Sequence, residues 1–224
     1  MIKSTFKLEK KLVKKGYDFV IGIDEAGRGP LAGPVVACAC VLFSQSFALE
    51  DSKAKLWNLI RDSKTLSHRQ RESLFDFIHE HFHVGVGICD HKTIDRMNIL
   101  EASFLAMKKA VAELKSKMQV KSQNYFNLKT IILVDGNKPI PNLSMEQKAV
   151  PNGDRYIKSI SAASIIAKVT RDRIMLVIHK KYPQYGFDRH KGYGTKLHFR
   201  KLKKHGPCKI HRKTFHPVAK RKNK

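Results

Sequence analysis

The stretch Phe19-Val-Ile-Gly-Ile-Asp24-Glu25-Ala-Gly27-Arg28-Gly29-Pro-Leu-Ala-Gly33-Pro34 begins as a strand and ends as bare backbone. Residues 19–23 are apolar and β-branched, the composition of a short buried strand. Two adjacent carboxylates close it, although burying a lone charge at such a place is expensive. Three glycines, two prolines and one arginine follow, so the chain turns tightly, and Gly27 and Gly29 let backbone N–H groups come close to a ligand. Acids beside naked backbone with one guanidinium point to a metal site next to a phosphate or sugar site. A dinucleotide-binding glycine loop fits less well, because that loop opens a helix. Here Val35-Val-Ala-Cys-Ala-Cys-Val-Leu-Phe43 reads as a second strand. An acid pair at a solvated strand end needs no function, so the rest of the chain decides.

Working outward, Thr130-Ile-Ile-Leu-Val134 is again apolar, and again an acid, Asp135, closes it before a glycine. In α/β layer folds such strand ends are where active sites gather. Between these strands, residues 44–54 read as a polar connection and 55–61 as a short helix. Ser67 with Gln70 forms a capping box for a helix running to about 82, with Leu74, Phe75 and Ile78 inward. Val84-Gly-Val-Gly-Ile88 reads as a short strand whose glycines mark a bulge. Residues 94–117 carry Ile94, Met97, Leu100, Phe104, Met107 and Val111 at helical spacing, which a core-facing helix explains. Beyond Asp135, residues 137–152 are a proline-containing loop or a partner strand, and Asp154 follows a glycine. Ser161 then reads as the N-cap of a long helix ending near 182. A strongly basic helix spans 195–204, and 220–224 form a basic tail. This is one α/β unit, a mixed sheet flanked by helices. It divides into a basic N-terminal segment (1–18), a catalytic domain (19–194) and a basic helical C-terminal extension (195–224).

Charge names the class of partner. Lys and Arg number 44 against 19 acids, a formal +25 on 224 residues, and a surface so positive meets a polyanion, nucleic acid foremost. No run of about 18 apolar residues exists to span a membrane. Residues 1–15 alternate lysines with apolar residues and lack a secretory core. Cys38, Cys40, Cys89 and Cys208 follow no metal or redox spacing and read as reduced thiols, which fits the cytoplasm. His205, Cys208 and His211 offer no fourth ligand nearby, so zinc is not assigned.

Phosphodiester cleavage without a strong side-chain base is commonly done with two Mg²⁺ ions about 3.5–4 Å apart. Mg²⁺ takes hard oxygen ligands and keeps several waters, so a few carboxylates suffice. The sequence offers Asp24 and Asp135 at strand ends, Glu25 adjoining the first, and Asp154 after Gly153. Consecutive strand residues face opposite ways. Asp24 and Glu25 therefore converge only if the strand ends and twists at Ala26-Gly27.

The quoted stretch resembles the signature of the type 2 ribonucleases H, the bacterial ribonuclease HII family. Further likeness lies in Asp62-Ser63-Lys64-Thr65-Leu66-Ser67, Val134-Asp135-Gly136, and Ser161-Ala-Ala-Ser-Ile-Ile-Ala-Lys168-Val-Thr-Arg171-Asp172-Arg173. Gly192-Tyr193-Gly194-Thr195 and His211-Arg212-Lys213-Thr214-Phe215 complete it, in the expected order along the chain. The resemblance implies a ribonuclease H-like fold and an endonuclease that hydrolyses RNA in RNA–DNA hybrids and cuts 5′ of single ribonucleotides in duplex DNA. It implies Mg²⁺ or Mn²⁺ as cofactor, and Asp24, Glu25, Asp135 and Asp154 as the metal-binding, catalytic carboxylates. Asp172 competes for the fourth place, but it sits inside a helix between Arg171 and Arg173, where an ion pair accounts for it. By the same resemblance Gly27-Arg28-Gly29 holds the ribonucleotide 2′-OH, the group that separates RNA from DNA, and Tyr193 packs on the following deoxyribose. Lys64 is a phosphate contact. The type 3 enzymes resemble this fold but carry an extra N-terminal domain, whereas about 18 residues precede the first strand here. The chain is expected to act as a monomer. Two rivals stand beside this reading: another nuclease of the same fold without a 2′-OH reader, and a non-catalytic basic nucleic-acid-binding domain.

Overall fold

The computed structural model describes residues 4–42, 54–119 and 128–218. The polar connection over 44–53 and the basic tail at 220–224 lie outside the described residues. The described strands are β1 (Phe19–Ala26), β2 (Val35–Leu42), β3 (Phe82–Cys89), β4 (Thr130–Asp135) and β5 (Glu146–Val150). They form one mixed sheet in the order β3-β2-β1-β4-β5. β1, β2 and β3 pair antiparallel, while β4 runs parallel to β1 and β5 parallel to β4. β5 thus settles the open reading of residues 137–152 as a loop followed by a partner strand.

The helices are α1 (Lys7–Lys14), α2 (Ala54–Leu59), α3 (His68–His81), α4 (His91–Met97), α5 (Ile99–Gln119), α6 (Gly153–Tyr156), α7 (Lys158–Lys181), α8 (Phe187–His190) and α9 (Lys196–His205). Alternation along β2 assigns the two faces of the sheet. Val35, Ala37, Ala39 and Val41 pack in the cluster built on α5, while Val36, Cys38, Cys40 and Leu42 join the cluster containing α3 and α7. β2 is buried on both faces, which explains a strand with no polar residue. Among the described residues no helix is long and apolar enough to cross a membrane.

Three local expectations need correction. The helix read over 94–117 is two helices, broken at Asn98 with φ +71°. The Asn98 carboxamide oxygen accepts from Leu100 N–H (2.9 Å) and Glu101 N–H (3.1 Å), so it starts α5 as a cap. Gly85 and Gly87 make no bulge, since both stand in unbroken register with β2. A Cβ at either would lie 2.2 Å from the Ala110 carbonyl oxygen or 1.9 Å from that of Ala106, so these glycines bring α5 against the sheet.

Ser161, finally, is not the N-cap of the long helix. α7 begins at Lys158, and the Ser161 hydroxyl donates back to the Asp154 and Ile157 carbonyls at 2.7 and 2.9 Å. The donor left over at the helix start is met from far away: Ser159 N–H bonds to the buried Glu9 carboxylate of α1 at 2.9 Å. Burial raises the Glu9 pKa, and that backbone bond works against the rise.

Candidate active site

Alternation along β1 decides which carboxylates meet. Ile21 and Ile23 face α5, so Asp24 faces α7 and Glu25 turns back toward α5. The strand does not end at Asp24: Glu25 and Ala26 still pair with Ala37 and Val36 of β2. β4 lies parallel beside β1 with Ile23 opposite Val134, which sets Asp135 next to Asp24 on the α7 side. α6 supplies the third acid. Its Asp154 N–H donates to Asp135 Oδ1 at 3.3 Å, and the Ser161 hydroxyl holds its carbonyl.

Carboxylate oxygens of Asp24, Asp135 and Asp154 lie within 4.8 Å of one another, and no other group of three or more His, Cys, Asp or Glu converges in this way among the described residues. Burial raises the Asp24 pKa well above the usual carboxylate range, and the charges of Glu25 and Asp135 add to it. Burial, and then Asp154, also raise Asp135. Such a cluster is unfavourable as three bare anions. Two buried carboxylates and one half-buried one brought this close fit one or more hard divalent cations. Lys64, from the 3-10 turn Ser63–Thr65, places Nζ 3.3 Å from Asp154 Oδ2 while most of its side chain stays exposed. Burial pulls the lysine pKa down, but Asp154, Asp62 and Asp24 outweigh that and raise it.

Glu25 stands outside the triad. Its Oε1 accepts from Arg28 Nη1 at 3.1 Å, and it lines a cleft with Arg28, Phe104, Met107, Asp135 and Lys138. Burial raises its pKa, Arg28 lowers it, and Asp135 adds a smaller upward push. Asp172 is likewise apart from the triad. Its partner is Lys168 (2.7 Å), not the flanking arginines: Arg173 pairs with Glu72 at 2.5 Å, and Arg171 leaves for the glycine loop. His205, Cys208 and His211 do not converge as a set of three, although Cys208 Sγ lies 3.1 Å from His211 Nδ1. The His211 Nδ1 is taken by the Cys208 N–H at 3.0 Å.

The loop carrying Gly27, Arg28 and Gly29 is held by two buried arginines that the sequence reading left without a role there. Arg212 donates from Nε to Gly33 O (3.0 Å), from Nη1 to Arg28 O (2.9 Å), and from Nη2 to Gly27 O (2.6 Å) and Pro34 O (3.2 Å). Arg171 donates to Pro34 O (2.9 Å) and Ala32 O (3.2 Å). Gly27 has φ +103°, and a Cβ there would lie 2.2 Å from Arg171 Nε, whereas a Cβ at Gly29 would meet no other residue beyond its chain neighbours within 4 Å. The loop therefore turns its carbonyls inward to guanidinium groups and leaves its Gly29 side open. A signal for Arg171 did exist. It sits four residues after Ala167, which is four after Ala163, on the buried face of α7.

Tyr193 lies on the loop between α8 and α9 and is 39% exposed. Lys168 Nζ and Arg171 Cζ stand 5.5 and 5.6 Å from the ring centroid. This loop touches the glycine loop directly, since Leu31 N–H donates to Gly192 O at 2.8 Å.

The chain matches the profile of the family described as Ribonuclease HII over residues 21–218. It is 47% identical over 211 residues to a ribonuclease HII of Caldicellulosiruptor bescii, covering 94% of this chain and 92% of that one. It is 48% identical over 213 residues to a ribonuclease HII of Acholeplasma laidlawii, covering 95% and 94%. Among solved structures it is similar to the ribonuclease H2 of Pyrococcus horikoshii, with a TM-score of 0.64 and 30% identity, covering 89% of this chain and 95% of that one.

Proposed function

Because this chain belongs to the ribonuclease HII family, we propose that it cuts duplex DNA on the 5′ side of a single embedded ribonucleotide, in addition to hydrolysing RNA in RNA–DNA hybrids. The chain is an endoribonuclease of the ribonuclease H class, dependent on a divalent metal. The finer reading has a two-metal mechanism with Mg²⁺ or Mn²⁺, leaving 3′-hydroxyl and 5′-phosphate ends, in a monomer of the cytoplasm.

One observation carries it: three carboxylates, two buried and one half-buried, converge on a chain whose formal charge is +25. A purely binding domain would lose affinity by keeping acids where phosphate must come. Asp24, Asp135 and Asp154 would hold the metal, with Glu25 approaching from the other face of β1. When bound, such ions supply water activation and stabilisation of the leaving oxygen. Lys64 would meet a phosphate oxygen beside Asp154. The backbone around Gly29 would read the 2′-OH, whose loss leaves buried donors or acceptors unpaired at about 1–3 kcal/mol each. The Tyr193 ring, flat and half open, would accept a deoxyribose next to it and crowd a second hydroxyl. The test is a duplex with one ribonucleotide, incubated with Mg²⁺ and the protein. Cleavage 5′ of the ribonucleotide with a 3′-hydroxyl end is expected; an intact strand, where a hybrid is cut, overturns the finer reading.

Three variants bear on the residues. Tyr193→Ala is expected to cut the single-ribonucleotide duplex about ten- to a hundredfold more slowly, the range that misplacing a bound sugar can cost, and to lose its preference for an RNA–DNA junction. Unchanged steady-state rates on both substrates would leave Tyr193 as a loop anchor. For the carboxylates, Asp154→Asn is expected to cost far more activity than Asp172→Asn, because Asp172 stands apart from the triad and pairs with Lys168 inside α7. An inactive but folded Asp172→Asn, judged by circular dichroism, would reverse the assignment.

A further inference from the structure

The backbone at Tyr193 is tied to the C-terminal segment by two buried imidazoles. Cys208 N–H donates to His211 Nδ1 at 3.0 Å, with Cys208 Sγ 3.1 Å from the same nitrogen. His211 Nε2 and His198 Nε2 lie 3.0 Å apart, and His198 Nδ1 lies 3.0 Å from the Tyr193 carbonyl oxygen. His211 Nδ1 also lies 3.3 Å from the Cys208 carbonyl oxygen, so the Cys208 end by itself leaves the tautomer open. The Tyr193 carbonyl can only accept, which puts the His198 proton on Nδ1 and makes His198 Nε2 an acceptor. His211 then carries its proton on Nε2, donates it to His198 Nε2, and accepts the Cys208 N–H on Nδ1. Both rings are fully buried, and His190 stacks on His198 at 4.3 Å while accepting the Gly192 N–H.

We propose that His198 and His211 are positioning residues for Tyr193, and that the relay they form sets the preference for a ribonucleotide followed by a deoxynucleotide. The proposal rests on the reading of Tyr193 given above. An imidazole is suited to the task because it accepts at one edge and donates at the other, so the relay passes the orientation of the segment carrying Arg212 to the backbone of Tyr193. Arg212 holds the loop of Gly27 and Gly29, and the neighbouring His211 holds Tyr193, so two adjacent residues fix both halves of the reader in one frame. The relay works only when neutral, since a second proton would set two N–H donors face to face. Burial depresses His198 to about 4, with His190 adding to it, and depresses His211 to about 4, with His198, His190 and His91 adding. The Tyr185 ring, 5.0 Å from His211, and the Cys208 thiol are the other titratable groups facing the pair, and neither supplies a negative charge at neutral pH.

The readout is the ratio of kcat/KM on a single-ribonucleotide duplex to that on an RNA–DNA hybrid, which the fraction of active protein does not move. His198→Leu is expected to lower the ratio about tenfold, the equivalent of one lost hydrogen bond. His198→Asn, whose amide nitrogen replaces Nδ1, restores most of it. The double variant with Tyr193→Ala falls no further than Tyr193→Ala alone. A folded His198→Leu with the wild-type ratio, when Tyr193→Ala lowers it, overturns the relay. An unchanged ratio in Tyr193→Ala itself instead removes the Tyr193 reading, and the purpose of the relay with it. Should His198→Leu not fold, imidazole ¹⁵N spectra of the unaltered protein decide. His198 protonated on Nδ1 and His211 on Nε2, with neither titrating above about pH 5, are expected; the opposite tautomers overturn the proposal.

Discussion

Asp24→Asn is expected to lower cleavage about a thousandfold or more, the rate equivalent of the several kcal/mol that a correctly held metal supplies, and at the same time to make the metal-free protein more stable. Both effects come from the same burial. Asp24 is 5% exposed, and burial with the charges of Glu25 and Asp135 raises its pKa in the folded state. A carboxyl whose folded pKa lies above its unfolded value destabilises the fold at every pH above that folded pKa. The penalty is relieved as pH falls through it toward the unfolded value. Metal-free protein should therefore gain stability as pH drops from neutral into that window, whereas Asp24→Asn, with no charge to bury, should gain less. At neutral pH with chelator, the variant is expected to melt a few degrees higher, about 2–4 °C for each kcal/mol relieved. Added Mg²⁺ should raise the melting temperature of the unaltered protein more than that of the variant. A folded Asp24→Asn with near-normal turnover, or one melting lower in chelator, contradicts the assignment of Asp24 to the metal.

The contrast between Asp24 and Glu25 shows how far sequence carries. The strand, its acid ending and the parallel case at Asp135 are legible because an apolar run closed by a carboxylate is a local pattern. The side of the sheet Glu25 takes is not, since it depends on whether β2 keeps pairing past Asp24, and pairing to Ala26 is set by a different strand. Asp154 is a similar case: its meeting with Asp135 needs β5 and α6 to bring the chain back across the end of β4. The break at Asn98 was readable in principle, because an asparagine before two apolar residues can cap. The apolar spacing runs through it undisturbed, and periodicity concealed it. The start of α7 was not readable at all, since the residue meeting its free N–H is Glu9, 150 positions away. Arg212 was hidden for a further reason: in a chain with 44 basic residues, an arginine outside any periodic element looks like all the others, whereas Arg171 at least shares the spacing of Ala163 and Ala167.

Arg212→Leu is expected to lower the melting temperature by roughly 10 °C and to depress cleavage about a hundredfold even where the variant is folded. The guanidinium is fully buried and, among the described residues, bonds to no carboxylate; its three nitrogens serve the carbonyls of Gly27, Arg28, Gly33 and Pro34. Of these, Pro34 retains Arg171 as a donor at 2.9 Å, so three carbonyls lose this partner. At about 1–3 kcal/mol for each buried group left unpaired, the loss is at least about 3 kcal/mol against a typical 5–15 kcal/mol of total stability. Burial, with the Arg171 charge beside it, pulls Arg212 down to about 9, so it stays charged at neutral pH and Leu also removes an expensive buried cation. That gain offsets part of the loss of stability but cannot restore the loop. Catalysis suffers separately, because a displacement of about 1 Å in a substrate-holding loop can cost a hundredfold. Arg212→Lys is the sharper variant. It keeps the charge and much of the volume, yet one ammonium cannot satisfy carbonyls spread around a planar fork, so it should lose most of what Leu loses. Thermal melts and cleavage of an RNA–DNA hybrid at a temperature well below the melt check both variants. Wild-type behaviour of Arg212→Lys in both would mean that the loop holds its shape without the fork, and that Arg171 suffices to fix it.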